Sequence, residues 1–308
     1  MLTLRLIGAA LTTTCALALA QEKAPTVPVQ MTITVEARQD HDKNIPILSG
    51  ADVMVFQGKR RLPVRELIPC PAERTCLELF VLVDDASDVR LGSQLEDLRQ
   101  FIEAQPAATS VGIGYMRNAT VEVSQELTRD HRKAAAALRL PLGYSGVMPS
   151  PFLSLSDLIK RWPTSFARRA VLLVTSGTDP MGGELANPFL NCAIEDAQRS
   201  GIIVYATYMP TAGHSGHSFW QMYWGQNHLA QIAEETGGES YMLGFEPPIS
   251  FAPYLAEISG HLAHQYVVTF LIEPGEKAGF QSVRLTTEVP NAEIVAASKV
   301  YVPARTQP

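Results

Sequence analysis

Acidic side chains follow an apolar segment of the sequence at residues 79–83. Asp84, Asp85 and Asp88 come directly after the run Leu-Phe-Val-Leu-Val. Such a run is typical of a strand buried on both faces of a parallel sheet, and open α/β sheets bind their ligands beyond the carboxyl ends of the strands. Carboxylates at that edge could ligate a hard cation such as Mg²⁺, or Asp84 and Asp85 could instead cap the loop and helix that follow.

A second group of side chains suited to binding lies between residues 210 and 226. These side chains are imidazole and aromatic rings at His214, His217, Phe219, Trp220, Tyr223 and Trp224. Two histidines fall short of the three or four ligands of a structural metal site, so the segment favours recognition of a protein partner by exposed aromatic rings. The alternative is that a loop over 210–226 folds back and buries its aromatic rings.

Nucleophilic catalysis has little support in the sequence. Ser176 follows an apolar run, but residues 175–178 read Thr-Ser-Gly-Thr and lack the Gly-x-Ser-x-Gly spacing of a nucleophile elbow. The enzymatic alternative is a metal-assisted hydrolase, because Asp84, Asp85 and Asp179 could surround a cation that activates water.

The elements that must position these residues alternate between strand and helix in the middle of the chain. The patterns predict strands at 78–83, 110–116, 120–124, 169–175 and 201–208, and helices at 91–104, 128–138, 153–161, 188–200, 227–236 and 251–263. This alternation is typical of a doubly wound, mainly parallel α/β sheet of the Rossmann type. Four segments should then reach its carboxyl edge, at 84–88, 146–150, 175–179 and 209–226.

Both ends of the chain have β patterns instead. Strands are predicted at 31–35, 51–56, 265–272, 281–288 and 294–302. Neither group alone makes a stable sheet with a core, so we expect the two groups to pair in a small β-sandwich. The predicted organisation is a signal peptide at 1–20, a linker at 21–29, an N-terminal β segment at 30–75, the α/β domain at 76–264 and a C-terminal β segment at 265–308.

The first residues and the composition indicate an exported protein. Arg5, an apolar run and Ala-Leu-Ala at 18–20 form the pattern of a secretory signal peptide, which predicts a secreted or periplasmic protein with no stable membrane insertion after cleavage. The 308 residues carry a net charge of −6 without a basic block, which argues against nucleic acid as a partner. Export favours disulfides, and Cys70 and Cys76 flank a turn-like segment that a disulfide could close.

Several segments together resemble the von Willebrand factor A domain, and in particular the bacterial secreted proteins that flank this domain with β segments. The resemblance covers most of the mature chain. It is carried by residues 80–84, 150–155, 171–177, 202–206, 229–238 and 265–270. It implies a protein whose carboxyl-edge loops recognise a protein partner.

The resemblance also implies a Mg²⁺-dependent adhesion site, with the pattern Asp-x-Ser-x-Ser, a Thr from a second loop and an Asp from a third. In this sequence the five positions fall on Asp84, Ala86, Asp88, Ser150 and Ser176. Ala86 has no ligand atom, and Ser176 replaces a carboxylate with a hydroxyl. The implied site is therefore a degenerate one, in which Asp84, Asp88, Ser150 and Ser176 could hold Mg²⁺.

A register shifted by one residue would use Asp85 and Ser87 but would place Val89 at the third ligand position. That shift would also move the aspartate one step past the strand end, so we prefer the first register and expect an exported, non-enzymatic binding protein with a degenerate adhesion site. The residues expected to bind its protein partner are His214, His217, Trp220, Tyr223 and Trp224. The alternatives are the metal-assisted hydrolase and a structural envelope component whose site has decayed.

Overall fold

The structure is a computed structural model that describes residues 26–38, 44–71, 76–143, 150–163, 165–183, 186–212, 218–242 and 244–305. The predicted signal peptide, the first part of the predicted linker, and His214 and His217 lie outside the described residues. No helix in these ranges is long and apolar enough to cross a membrane.

Fifteen strands and six α-helices make up the described parts of the chain. The strands are β1 Val27–Ala37, β2 Val53–Gln57, β3 Arg60–Leu62, β4 Val64–Pro69, β5 Leu77–Asp84, β6 Thr109–Arg117, β7 Thr120–Thr128, β8 Arg168–Thr175, β9 Ile202–Tyr208, β10 Ser240–Tyr241, β11 Gln265–Ile272, β12 Gly279–Ser282, β13 Arg284–Thr287, β14 Ala292–Ala296 and β15 Lys299–Val302. The helices are α1 Leu95–Glu103, α2 His131–Ala136, α3 Pro151–Arg161, α4 Pro188–Ser200, α5 Phe219–Thr236 and α6 Ala252–Ala263, with a 3₁₀ helix at Val89–Gln94 before α1.

The central sheet has the strand order β10-β9-β8-β5-β6-β7. Its strands are parallel except β7, which runs antiparallel to β6 at one edge. Strand β5 lies in the middle and is buried on both faces, with Leu79, Val81 and Val83 in one hydrophobic core and Phe80 and Leu82 in the other. The apolar run at residues 79–83 is continuous because β5 is buried on both of its faces. The predicted doubly wound fold is confirmed.

The two ends of the chain pair with each other in the predicted β-sandwich. Strand β1 lies antiparallel between β11 and β14 in a four-stranded sheet of order β14-β1-β11-β4. A second sheet of order β13-β2-β3 packs against the first, and side chains from both sheets form one hydrophobic core. Ile33 and Val55 from the N-terminal strands and Val268 and Phe270 from β11 are fully buried there, so each half supplies apolar surface that the other covers.

Helix α5 begins earlier than the sequence pattern predicts. The prediction placed a loop at 210–226 and a helix only from 227, but α5 starts at Phe219. The Ser218 hydroxyl accepts a hydrogen bond from the backbone N–H of Gln221 at 3.2 Å and caps the helix. Gly225 in the second turn lowers helix propensity and hides the start of the helix from a pattern-based prediction.

The predicted Cys70–Cys76 disulfide is not present, because both residues are free cysteines. Cys70 is buried at the end of β4, where its backbone N–H donates to Gln265 O at 2.9 Å. Cys76 is exposed, and its Sγ accepts a hydrogen bond from Arg129 at 3.7 Å. The first thiol therefore belongs to the β-sandwich, whereas the second lies directly before β5 and contacts Arg129, which follows β7.

Candidate functional site at the carboxyl edge of the sheet

Four segments meet beyond the carboxyl ends of the parallel strands. Residues 84–88 follow β5, 176–183 follow β8, and 209–212 follow β9, while 139–143 reach the edge from the end of α2. Direct hydrogen bonds join the first three segments: Thr175 Oγ1 to Asp84 Oδ2 at 2.7 Å and the backbone N–H of Ala212 to Ala86 O at 2.8 Å. The predicted convergence is therefore observed for 84–88, 175–179 and 209–212; of the predicted segment 146–150 only Ser150 is described, and it bonds to Asp179, while the segment 139–143 was not predicted to lie here.

Asp84 lies at the end of β5 and is buried, with only 1% of its surface exposed. Its Oδ1 accepts a hydrogen bond from the backbone N–H of Ala86 at 2.9 Å, and its Oδ2 accepts the Thr175 hydroxyl. Burial raises the pKa of Asp84 to about 6, and the two hydrogen bonds oppose this rise. Both carboxylate oxygens are thus already engaged within the protein.

Asp85 is fully buried and pairs with a cation that the sequence pattern did not reveal. Arg139 donates from Nη1 to Oδ1 at 2.6 Å and from Nη2 to Oδ2 at 2.9 Å. The Arg139 guanidinium carbon also lies 3.7 Å from the centroid of the Tyr115 ring, a cation–π contact. The backbone N–H of Leu142 donates to Asp85 Oδ1 at 3.2 Å, so Asp85 organises residues 139–142.

Asp88 caps the 3₁₀ helix that precedes α1. Its Oδ1 accepts from the backbone N–H of Arg90 at 2.8 Å and lies 3.2 Å from Arg90 Nε. Its own backbone N–H donates to Pro210 O at 2.9 Å. The sequence offers Asp84 and Asp85 as the capping residues, but the helix is capped by Asp88, which is predicted as a metal ligand; Asp84 accepts only the nearby backbone N–H of Ala86, and Asp85 pairs with Arg139 instead.

The remaining positions of the implied metal site are buried and lie near Asp179. Ser150 Oγ donates to Asp179 Oδ2 at 3.1 Å, and the Asn187 side chain donates to the same oxygen at 3.0 Å. The other Asp179 oxygen accepts the backbone N–H groups of residues 181 and 182 at 3.1 and 3.2 Å. Ser176 Oγ accepts from the backbone N–H of Thr178 at 3.2 Å. Protein donors therefore bond both Asp179 oxygens, whereas the Ser176 hydroxyl accepts a bond within its own turn.

The residues present do not fit a Mg²⁺ adhesion site. Mg²⁺ demands near-octahedral oxygen ligands, whereas the oxygens of Asp84 and Asp179 accept hydrogen bonds from protein donors and Ala86 offers no ligand atom. Within the described ranges, no three His, Cys, Asp or Glu side chains are placed to hold a metal ion. The donor set is that of hydrogen-bonded loops rather than of a cation site.

The aromatic residues at the start of α5 are exposed. Phe219, Trp220 and Tyr223 are 57%, 62% and 43% exposed. Their rings contact each other, with Phe219 stacked on Tyr223 at 6.3 Å between centroids and Trp220 edge-on to Phe219 at 5.5 Å. Trp224 is partly buried and lies edge-on to Tyr223 at 5.7 Å. These rings form an ordered surface beside the acidic loops.

Exposed apolar side chains concentrate at this edge. Of the eleven exposed large hydrophobic residues in the described part of the chain, eight lie in these segments or next to them: three are in the segments, Val89 directly follows 84–88, three are at the start of α5, the next helix after β9, and Ile249 lies beside the 3₁₀ helix, where its carbonyl oxygen accepts from Gln94. We call these eight the apolar edge: Val89, Leu140, Leu142, Met181, Phe219, Trp220, Tyr223 and Ile249. Val89 and Ile249 also border an open depression of about 540 Å³.

A close backbone contact docks α5 on the loop after β8. Gly177 has a φ of +69°, and a Cβ there would lie 2.2 Å from Gly225 O. A Cβ at Gly225 would in turn lie 2.4 Å from Ser176 O. Because neither position accommodates a side chain, this pair of glycines sets where α5 and its aromatic rings lie.

Comparisons with known proteins give structural likeness only. No protein-family model and no curated protein matches the sequence. Among solved structures, the chain is similar to BatB from Bacteroides thetaiotaomicron, with 14% identity over 60% of this chain and 97% of that chain at a TM-score of 0.45. A von Willebrand factor type A protein from Catenulispora acidiphila is 12% identical over 81% of this chain and 75% of that chain, with a TM-score of 0.47.

A third similar structure is the manganese-loaded TRAP protein of Plasmodium vivax, 13% identical over 79% of this chain and all of that chain, with a TM-score of 0.43. The chain thus resembles von Willebrand A-like structures in fold. These scores carry no argument about function, so the interpretation of the site rests on the contacts described above.

Proposed function

We propose that this protein is an exported, non-enzymatic binding protein that recognises a protein partner through the apolar edge. The observation that carries the proposal is the concentration of exposed apolar side chains at the carboxyl edge, since large apolar patches on soluble proteins mark interaction sites. Aromatic anchors such as Trp220 and Tyr223 are enriched among the residues that dominate binding energy.

The hydrogen bonding of the acidic residues does not support a metal-assisted hydrolase. A general base must reach a substrate proton, but Asp84, Asp85 and Asp179 are buried, and their oxygens accept bonds from protein donors. A structural protein with a decayed site would also have internally bonded carboxylates. The exposed rings at 219–223 favour binding over decay.

The proposal can be tested by affinity capture from the extracytoplasmic fraction of the source cells, followed by quantitative mass spectrometry. We expect wild type to retain a protein that the double variant Trp220→Ser, Tyr223→Ser does not retain. The matched control is Phe166→Ser, which removes an exposed aromatic side chain just before β8, at the opposite edge of the sheet.

The control variant should retain the same protein as wild type. If wild type, the double variant and the control variant all capture the same partners in equal amounts, the apolar edge does not mediate recognition. Circular dichroism of each variant establishes that a loss of retention does not come from unfolding.

A further inference from the structure

We propose that Arg139 is an internal cation that holds the acidic loop 84–88 and the segment 139–142 together, so that this part of the apolar edge needs no divalent ion. In the family that the sequence resembles, a bound cation contacts several loops at this edge. Here the ligand set for a cation is incomplete, and a guanidinium from the segment after α2 binds the acidic loop directly. This inference concerns the same surface as the proposed function.

The position of Arg139 is fixed from three directions. Its two Nη atoms make a forked pair of hydrogen bonds with the fully buried Asp85, the arrangement that makes arginine–carboxylate pairs strong and directional. Its guanidinium packs on the Tyr115 ring. Its backbone N–H donates to Tyr115 Oη at 2.6 Å. Side chain and main chain are thus both anchored.

The Arg139–Asp85 pair completes a set of direct ties between the loops. Asp85 joins residues 84–88 to residues 139–142, since it binds both Arg139 and the backbone of Leu142. The Asp84–Thr175 bond joins the first loop to the end of β8. The bond from Ser150 to Asp179 joins the start of α3 to the loop after β8. Protein donors therefore make the connections that a shared cation would otherwise provide.

Arg139 is accordingly a positioning residue for part of the apolar edge. Leu140 and Leu142 lie on either side of Pro141 in the segment that the ion pair anchors, and both are about half exposed. Leu140 Cδ2 lies 2.9 Å from where a Cβ on Gly92 would be, so it packs closely on the 3₁₀ helix. Loss of the ion pair should release these two side chains from their fixed places.

Amide hydrogen exchange measured by mass spectrometry tests this inference without any partner. In wild type, exchange in peptides covering residues 84–91 and 139–143 should be the same with excess Mg²⁺ and with EDTA. Arg139→Gln should speed exchange in both peptides about tenfold or more, because it removes two charged hydrogen bonds. A peptide from β8 should stay protected, which separates local loosening from global unfolding.

The matched control is Arg99→Gln, since Arg99 is a partly exposed arginine on α1 whose ion-pair distance, to a Glu96 oxygen, is 3.6 Å. Arg139→Lys keeps the charge but loses the fork, so its exchange should lie between wild type and Arg139→Gln. If Arg139→Gln does not fold, the lysine variant carries the test alone.

Protection that depends on Mg²⁺ in wild type would overturn the inference. Exchange in the Arg139 variants that matches Arg99→Gln would overturn it as well. Because no partner enters the experiment, it can fail while the proposed binding function stands, and the capture experiment can fail while Arg139 still holds the loops.

Discussion

Replacing Gly225 with alanine should displace α5 and the aromatic rings that it carries. The added Cβ would lie 2.4 Å from Ser176 O and 3.1 Å from the backbone N of Thr178. The nearest of these atoms belongs to main chain in a buried loop, so the strain cannot be relieved by rotation of a flexible side chain. Either the helix moves outward or the loop after β8 moves away from it.

Two opposing effects set the magnitude. Alanine is favoured over glycine inside a helix by about 0.8–1 kcal/mol, whereas inserting a methyl group into a close-packed contact costs about 1–3 kcal/mol. A distance of 2.4 Å to a backbone oxygen places the steric cost in the upper part of its range, at about 2–3 kcal/mol, so Gly225→Ala should lower the free energy of unfolding by about 1–2 kcal/mol. Gly260 in α6 is the matched control, because a Cβ there meets nothing within 4 Å. Gly260→Ala should raise the free energy of unfolding by about 0.5–1 kcal/mol.

Urea unfolding monitored by tryptophan fluorescence measures both variants, and Trp220 and Trp224 report on α5 itself. The two substitutions share the same gain in helix propensity, so the difference between them isolates the contact with Ser176. If Gly225→Ala is as stable as Gly260→Ala, the loop and helix are not held by this contact, and the account of how α5 is positioned is wrong.

Two further outcomes are expected. Burial and the carboxylates of Glu239, Glu257 and Glu293 raise the pKa of Glu36 from 4.5 to about 7, so between these pH values the folded state keeps a proton that the unfolded state has lost, and the Glu36 contribution to the free energy of unfolding falls as the pH rises. His261 lies 3.3 Å from Glu36, and burial lowers its pKa to about 4, which has the opposite effect at lower pH. Glu36→Gln should flatten the decline due to Glu36, measured as the difference in thermal unfolding between about pH 5 and about pH 8, which lie below and above the raised pKa. An unchanged decline would refute the assignment. The double variant Ala86→Ser, Ser176→Asp restores two implied ligands and should bind Mn²⁺ by calorimetry where wild type does not; binding by wild type would contradict the assessment of its ligand set.

The central fold could be predicted from the sequence because its signals are local. The apolar run at β5 reflects burial on both faces of the sheet, and it ends at Asp84, where the chain reaches the carboxyl edge. The observed helix α4 has the predicted bounds, 188–200, because Asn187 caps its start and Gly201, with a φ of +64°, ends it. Each of these features depends on neighbouring residues only.

The contacts that define the site could not be predicted in the same way. Arg139 and Asp85 are 54 residues apart, and no periodicity connects them. Asp179 was considered only as a possible metal ligand, although its place among Ser150, Asn187 and two backbone N–H groups is what secures the loop. Pairings of this kind depend on how the loops fold against each other, which the pattern of each segment does not contain.

The start of α5 shows how one glycine can mislead a sequence-based prediction. Gly225 weakens the helical pattern of residues 219–226, so the segment resembles a loop rich in aromatic residues. In the structure the same glycine allows the helix to contact the loop after β8. The residue that obscured the helix is therefore the residue that fixes its position.

The size of the apolar edge sets a lower limit on its partner. Phe219, Trp220 and Tyr223 are about half exposed, so covering them buries roughly 300 Å², worth about 8 kcal/mol of apolar transfer. Association costs about 4–15 kcal/mol in lost freedom of motion, so these three rings alone give little net affinity. If the apolar edge binds a protein partner as proposed, stable recognition should also cover residues such as Leu140 and Met181. The partner should therefore be a folded protein surface rather than a short peptide, and truncating Leu140 should weaken its binding together with Trp220.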